Sequence, residues 1–226
     1  VPIITTVQPY AFPIALTEGE SSLAQAVLRW RASAFMTAAE IMKDPENIAL
    51  FDYETKEERS NGDWRFEMYG VPLTYHLDRI YAAKPIREVR KAGPIELDKP
   101  GHHNPLDFFD LLEGLEELSL IPNRLYLLGT QQIIRLGNVC GILSRETPET
   151  GSGAWGHFAG IFQPGFYGPI TMEMRSQSRK RIAGGSVAGY VIFDKMDSRL
   201  AEGQAYSGPY QEQDAPMLPK PFKQAA

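Results

Sequence analysis

The chain has 226 residues, 43% of them hydrophobic and 23% charged, enough to bury the core of one large domain or of one domain with an extension. A formal net charge of -5 provides no general pull toward a phosphate backbone or an anionic membrane, which excludes a bare nucleic-acid binder. No run approaches the roughly eighteen apolar residues of a membrane span, and the first residues lack the basic-then-apolar pattern of a secretory signal, so a soluble protein without a membrane partner is expected.

In chain order, residues 1–20 carry Pro2, Pro9 and Pro13 and no sustained period, which predicts an extended N-terminal arm lying on the body or reaching a neighbour. Residues 21–45 turn helical. Ser22 with Gln25 has the pattern of a capping box, and Thr37 with Glu40 repeats it ahead of Ile41 and Met42, before Pro45 ends the segment. One helix through residue 43 and two helices broken near residue 36 both fit the pattern. Residues 46–195 form the expected β domain. Runs at 48–53 and 64–69 flank the turn formers Ser60, Asn61, Gly62 and Asp63 and predict a hairpin. Residues 84–115, punctuated by Pro85, Pro94, Pro100 and Pro105, are expected to be irregular, with the apolar stretch 106–112 held down. Closely spaced strands are predicted at 118–121, 124–128, 132–136, 139–143, 158–162, 168–174 and 186–193, a pattern that predicts an all-β barrel or sandwich. The tail, residues 196–226, is polar and proline-rich.

Chemistry concentrates at 163–174. Pro164 presets a turn, Gly165 and Gly168 permit it, and Ile170, Met172 and Met174 then alternate with Thr171 and Glu173 at strand period. Thr171 and Glu173 thus share one face. A carboxylate there is solvated, hydrogen-bonded or working as an acid or base, because burying it unpaired is costly. Cys140, the single cysteine, cannot form an internal disulfide and sits in an apolar run, where it packs as a small hydrophobe. His102 and His103 lie near Asp107 and Asp110, but adjacent side chains on irregular backbone rarely converge on a metal, so a plain loop is expected and no metal site is assigned.

Five segments, in order across residues 116–213, resemble the dCTP deaminases of the dUTPase-like superfamily. Residues 120–130 resemble the strand pair ahead of that family's motifs, and 141–147 stand where it carries an Arg-Ser-Ser motif. Residues 163–168 followed by 170–173 are similar to its Asp-Pro-Gly-aromatic turn and catalytic-Glu strand, 184–193 to its Gly-led strand, and 206–213 to the Tyr-Gln tail that closes over a triphosphate. The resemblance implies a mainly β, distorted barrel or jelly-roll fold, here with an N-terminal helical extension, assembled as a homotrimer with sites between subunits. It implies hydrolytic deamination of a pyrimidine deoxynucleotide by water that Glu173 activates, without zinc. In keeping with that, the chain has no His-x-Glu with a downstream Pro-Cys-x-x-Cys. Nucleotide contacts would come from Arg145, Thr147, Ala159, Gln163, Tyr206, Tyr210 and Gln213, and Mg²⁺ would enter only with a bound triphosphate.

The chain also departs from the pattern. Glu146 and Thr147 follow Arg145 in place of serines, and the second motif arginine falls near Thr150. Gln163 replaces the turn Asp and cannot act as a base, and Pro209 stands where the tail lysine belongs. Each lost charge-assisted contact is worth roughly 1.5–3 kcal/mol. Arg179, Lys180 and Arg181 could supply cations, against the plainer reading of an exposed hairpin tip. Trp155, in a glycine-rich loop, either lids the site or packs between subunits. Two function classes follow: a divergent cytoplasmic deaminase-like enzyme, or a non-catalytic trimeric scaffold of the same fold, such as a structural subunit of a virus particle or other large assembly.

Overall fold

The computed structural model describes residues 36–59, 70–143, 160–194, 205–208, 210–213 and 216–223, and the backbone alone of 3–6, 13–16, 144, 154–156 and 195. In the arm, β1 (Ile3–Thr6) pairs antiparallel with β2 (Pro13–Leu16). The helix α1 (Ala38–Met42) starts on the expected box: Thr37 Oγ1 accepts from the Glu40 N–H at 3.3 Å, and the Glu40 carboxylate accepts from the Thr37 N–H at 2.8 Å. Ser22 and Gln25 lie outside the described residues, as do 60–69 of the predicted hairpin.

The architecture is mainly β, as expected. Its strands are β3 (Ile48–Asp52), β4 (Val71–Ala83), β5 (Phe109–Glu113), β6 (Glu117–Leu120), β7 (Leu125–Thr130), β8 (Gln132–Leu136) and β9 (Val139–Ser144). They continue with β10 (Ala154–Gly156), β11 (Ile161–Phe162), β12 (Tyr167–Pro169), β13 (Met172–Ser176), β14 (Lys180–Ala183) and β15 (Val187–Lys195). The largest sheet runs β10-β13-β7-β4-β15-β9-β11, with β5 added to β4, and curls into a half-barrel. A second sheet has the order β12-β8-β3, and β14 pairs with β6. Leu73, Ile80, Leu128, Ile134, Val191 and Phe193 are fully buried between these layers.

The central strand β4 was not predicted. Val71, Leu73, Tyr75 and Leu77 alternate inward, but the next buried positions are Ile80, Tyr81 and Ala82, because the pairing with β7 shifts register between His76 and Tyr81. Pro72 and the Asp78-Arg79 pair further mask the strand. Residues 84–115 are also more ordered than expected. They hold α2 (Ile86–Ala92), exposed except for Val89, which packs half-buried against the cluster of Phe108 and Phe222, and β5, whose Phe109 is buried. Arg179 sits at an exposed turn, and Lys180 and Arg181 belong to β14, where Arg181 Nε lies 3.3 Å from Glu117.

Two contacts here carry expected outcomes. Tyr126, 1% exposed, accepts the Ile121 N–H on its hydroxyl at 2.9 Å. Tyr126→Phe should lower unfolding free energy by about 1 kcal/mol, read by urea denaturation. Asp52 is held below the ordinary carboxylate value, first by the Arg59 side chain at 3.0 Å and then by the Thr55 N–H. A carboxyl lowered in the folded state stabilises above its unfolded pKa, and that contribution is lost as pH falls through the folded value. Arg59→Ala should therefore raise the Asp52 pKa in an NMR titration and reduce the stability lost below about pH 4, by under ~1 kcal/mol because both groups are partly exposed.

Candidate active site

The turn ahead of β12 is built around Gly165, whose φ of +85° favours glycine. Its N–H donates to the Leu136 carbonyl at 2.9 Å and the Gly137 carbonyl at 3.1 Å, seating the turn on the end of β8. The predicted strand 168–174 is in fact two. β12 pairs with β8, and the chain then crosses to β13, which pairs with β7, the Ile170 N–H donating to Thr130 Oγ1 at 3.0 Å at the crossing. The predicted alternation survives the break. Ile170, Met172 and Met174 are 2%, 3% and 2% exposed, while Thr171 and Glu173 are half-buried on the opposite face.

That face lines a cavity of about 270 Å³. Leu127, Ile161, Phe162, Phe166 and Ile170 provide hydrocarbon, and Gln163, Thr171 and Glu173 provide polar groups. The tail supplies the rest of the wall: Tyr206, Tyr210, Gln213, Met217 and Pro219. Burial raises the pKa of the Tyr210 phenol, and the neighbouring Tyr206 and the Glu173 carboxylate raise it further. Tyr210 is thus a hydroxyl donor throughout the neutral range.

Backbone and side-chain hydrogen bonds together hold the tail. The Tyr206 N–H donates to the Pro164 carbonyl at 2.8 Å, and its ring meets Phe166 edge-on at 5.7 Å. Gln211 grips the turn at two points, donating through Nε2 to the Gly165 carbonyl at 3.0 Å and accepting the Tyr167 N–H at 3.1 Å. The Glu212 N–H donates to the Tyr167 carbonyl at 2.8 Å. Gln213, buried, donates through Nε2 to the Pro169 carbonyl, and the Met217 N–H donates to Thr171 Oγ1 at 3.0 Å. Further on, the His103 N–H donates to Pro221 and the Lys223 N–H to His103, each at 2.9 Å, and Phe222 is buried among Tyr81, Phe108, Phe109 and Leu127.

Glu173, Gln163, Tyr206, Tyr210 and Gln213 are thereby brought to one cavity from strand, turn and tail. Arg145, Thr147 and Ala159 lie outside the described residues, as does the Trp155 side chain, although its backbone is in β10. The basic residues 179–181 do not line the cavity. Gln211 was missed by sequence reasoning; its only signal was its spacing two residues before Gln213. His103 has a structural role, its Nε2 accepting the Glu96 N–H at 2.8 Å. Among the described residues no three His, Cys, Asp or Glu side chains group as a metal site. Cys140 is half-buried, and burial pushes its thiol pKa up.

A search of curated proteins finds no match to the chain. The crystal structure of 2'-deoxycytidine 5'-triphosphate deaminase from Agrobacterium tumefaciens shares the fold, with a TM-score of 0.59 and 19% identity over 74% of this chain and 51% of that one. The chain thus spans about half the length of that relative. The family model described as 2'-deoxycytidine 5'-triphosphate deaminase, C-terminal domain, matches residues 68–222, a stretch that contains Glu173 and the tail around it. On that match the chain belongs to the dCTP deaminase C-terminal domain family.

Proposed function

We propose that the cavity binds the pyrimidine ring of a deoxynucleotide and that Glu173 activates water for its hydrolytic deamination. The observation that supports this most is the position of Glu173: a carboxylate on the cavity-facing side of β13, set among hydrocarbon and covered by Tyr206 and Tyr210. In such a setting a carboxylate can take a proton from water attacking C4 of the ring and pass it to the departing amine. Tyr210 offers a hydroxyl donor to the ring or to the attacking water. Mg²⁺ would arrive on a triphosphate, if one binds.

The family resemblance supports a homotrimer acting in the cytoplasm, which light scattering of the purified protein tests. For the chemistry, the test is incubation with cytosine nucleotides and deoxycytidine, following ammonia release and the uracil product, beside Glu173→Gln. Turnover lost in that variant supports the enzyme. No turnover, and no rise in melting temperature with any of these compounds, would favour the scaffold reading, with this fold serving as a trimeric building block of a larger assembly such as a virus particle.

A further inference from the structure

The side-chain amide of Gln213 is held in one sense. It lies on the cavity wall, 8% exposed, and its Nε2 donates to the Pro169 carbonyl. A carbonyl can only accept, so the nitrogen of the amide, and not its oxygen, faces Pro169. Oε1 then stands 3.5 Å from Thr171 Oγ1, which takes the Met217 N–H at 3.0 Å and directs its own proton to that oxygen. Both neighbours therefore favour the same orientation. Turning the amide over would set Oε1 against the Pro169 oxygen and remove the acceptor from the Thr171 proton, and a buried carbonyl left without its donor is costly. With one bond made by each atom to Pro169 and Thr171, the amide keeps one N–H and one lone pair of Oε1 for a ligand in the cavity, in a fixed sense.

We infer that Thr171 is a positioning residue for recognition of the base: by fixing the Gln213 amide it makes the cavity distinguish a cytosine ring from a uracil ring, and so the substrate from its own deamination product. The inference rests on the reading that C4 of the ring lies against Glu173. Thr171 and Glu173 share the cavity face and are two residues apart, roughly 6.5 Å along extended chain, so a ring with C4 at Glu173 brings the groups at and beside that carbon toward the amide. In cytosine these are an amine, which donates, and N3, which accepts; they match Oε1 and the Nε2 N–H. In uracil they are a carbonyl and an N3–H, and both contacts are reversed. An amide free to turn would serve either ring. A fixed one serves cytosine, and the exchange of amine for carbonyl in the reaction loosens the product. The Thr171 hydroxyl acts on the ligand only through Gln213. Phosphates do not enter the comparison, because substrate and product carry the same ones.

The test is calorimetric titration of the full chain with dCTP and with dUTP, each with Mg²⁺, in a Glu173→Gln background that leaves dCTP unconverted. With Thr171 in place, dCTP should bind about tenfold or more tighter than dUTP. Thr171→Val, which keeps the shape and removes the hydroxyl, should lower that ratio by about threefold or more, and Thr171→Ser, which keeps the hydroxyl, should hold it near the starting value. If the valine variant weakens both nucleotides by the same factor, Thr171 only anchors the tail through Met217 and the inference is overturned. It is overturned too if the chain with Thr171 intact binds the two nucleotides equally, a result that leaves the pyrimidine-site reading standing. If neither nucleotide binds, the pyrimidine-site reading itself fails, and this inference fails with it.

Discussion

Glu173→Gln is expected to reduce turnover by roughly 10²–10⁴-fold, the range over which a positioned general acid or base contributes to a rate. Glutamine has the same shape and still hydrogen-bonds, but it cannot take a proton from water at neutral pH. Because Glu173 is half-buried at a cavity wall and not part of the packed layer of Met172 and Met174, the variant should fold normally, with a melting temperature near that of the parent. Single-turnover measurement of ammonia release reads the chemical step and separates it from product release. A variant that retains full activity would show that the water is activated elsewhere, and the assignment of β13 as the catalytic strand would fall.

Gly165→Ala should have the larger effect on architecture. A methyl at 165 would stand 2.7 Å from the Ala205 Cβ and 2.9 Å from the Tyr206 nitrogen, on a residue whose φ is +85°. Backbone strain alone costs about 1–2 kcal/mol. Relieving the overlap pushes 205–206 away from the turn, which breaks the Tyr206 to Pro164 hydrogen bond and loosens the Gln211 grip on Gly165. The expected result is a stability loss of about 2 kcal/mol or more, faster tryptic cleavage after Lys223, and loss of ligand binding even though no cavity-wall side chain has changed. If the alanine variant matched the parent in all three, the tail would not depend on this close approach.

The sequence made the site legible where a local rule sufficed. Pro164 and Gly165 announced the turn, and the alternation from Ile170 to Met174 placed Glu173 and Thr171 on one face, as burial shows. It could not announce that the run breaks between β12 and β13, because that break exists only to serve two different sheets, and sheet membership is set by partners far away in the chain. β4 escaped for a related reason: the shift between His76 and Tyr81 moves its apolar positions off a simple alternation, and a period-two reading ends where the strand continues. The Thr37 and Glu40 box was readable because both partners lie within one turn. Gln211 was not, since its partners Gly165 and Tyr167 lie more than forty residues upstream. The same holds for Met217 and Pro219, which become cavity wall only once the tail has folded back.

The backbone between 206 and 222 is fastened at both extremities, by Tyr206 to Pro164 on one side and by the pairing of Lys220 to Lys223 with Gly101 and His103 on the other. With both ends held, moving the described stretches 210–213 and 216–219 off the turn requires breaking the hydrogen bonds of Gln211 and Gln213 or those of an anchor. Opening the wall that this segment gives the cavity therefore draws on the local opening free energy of those anchors, and Phe222, packed in one cluster with the cavity-lining Leu127, contributes to it.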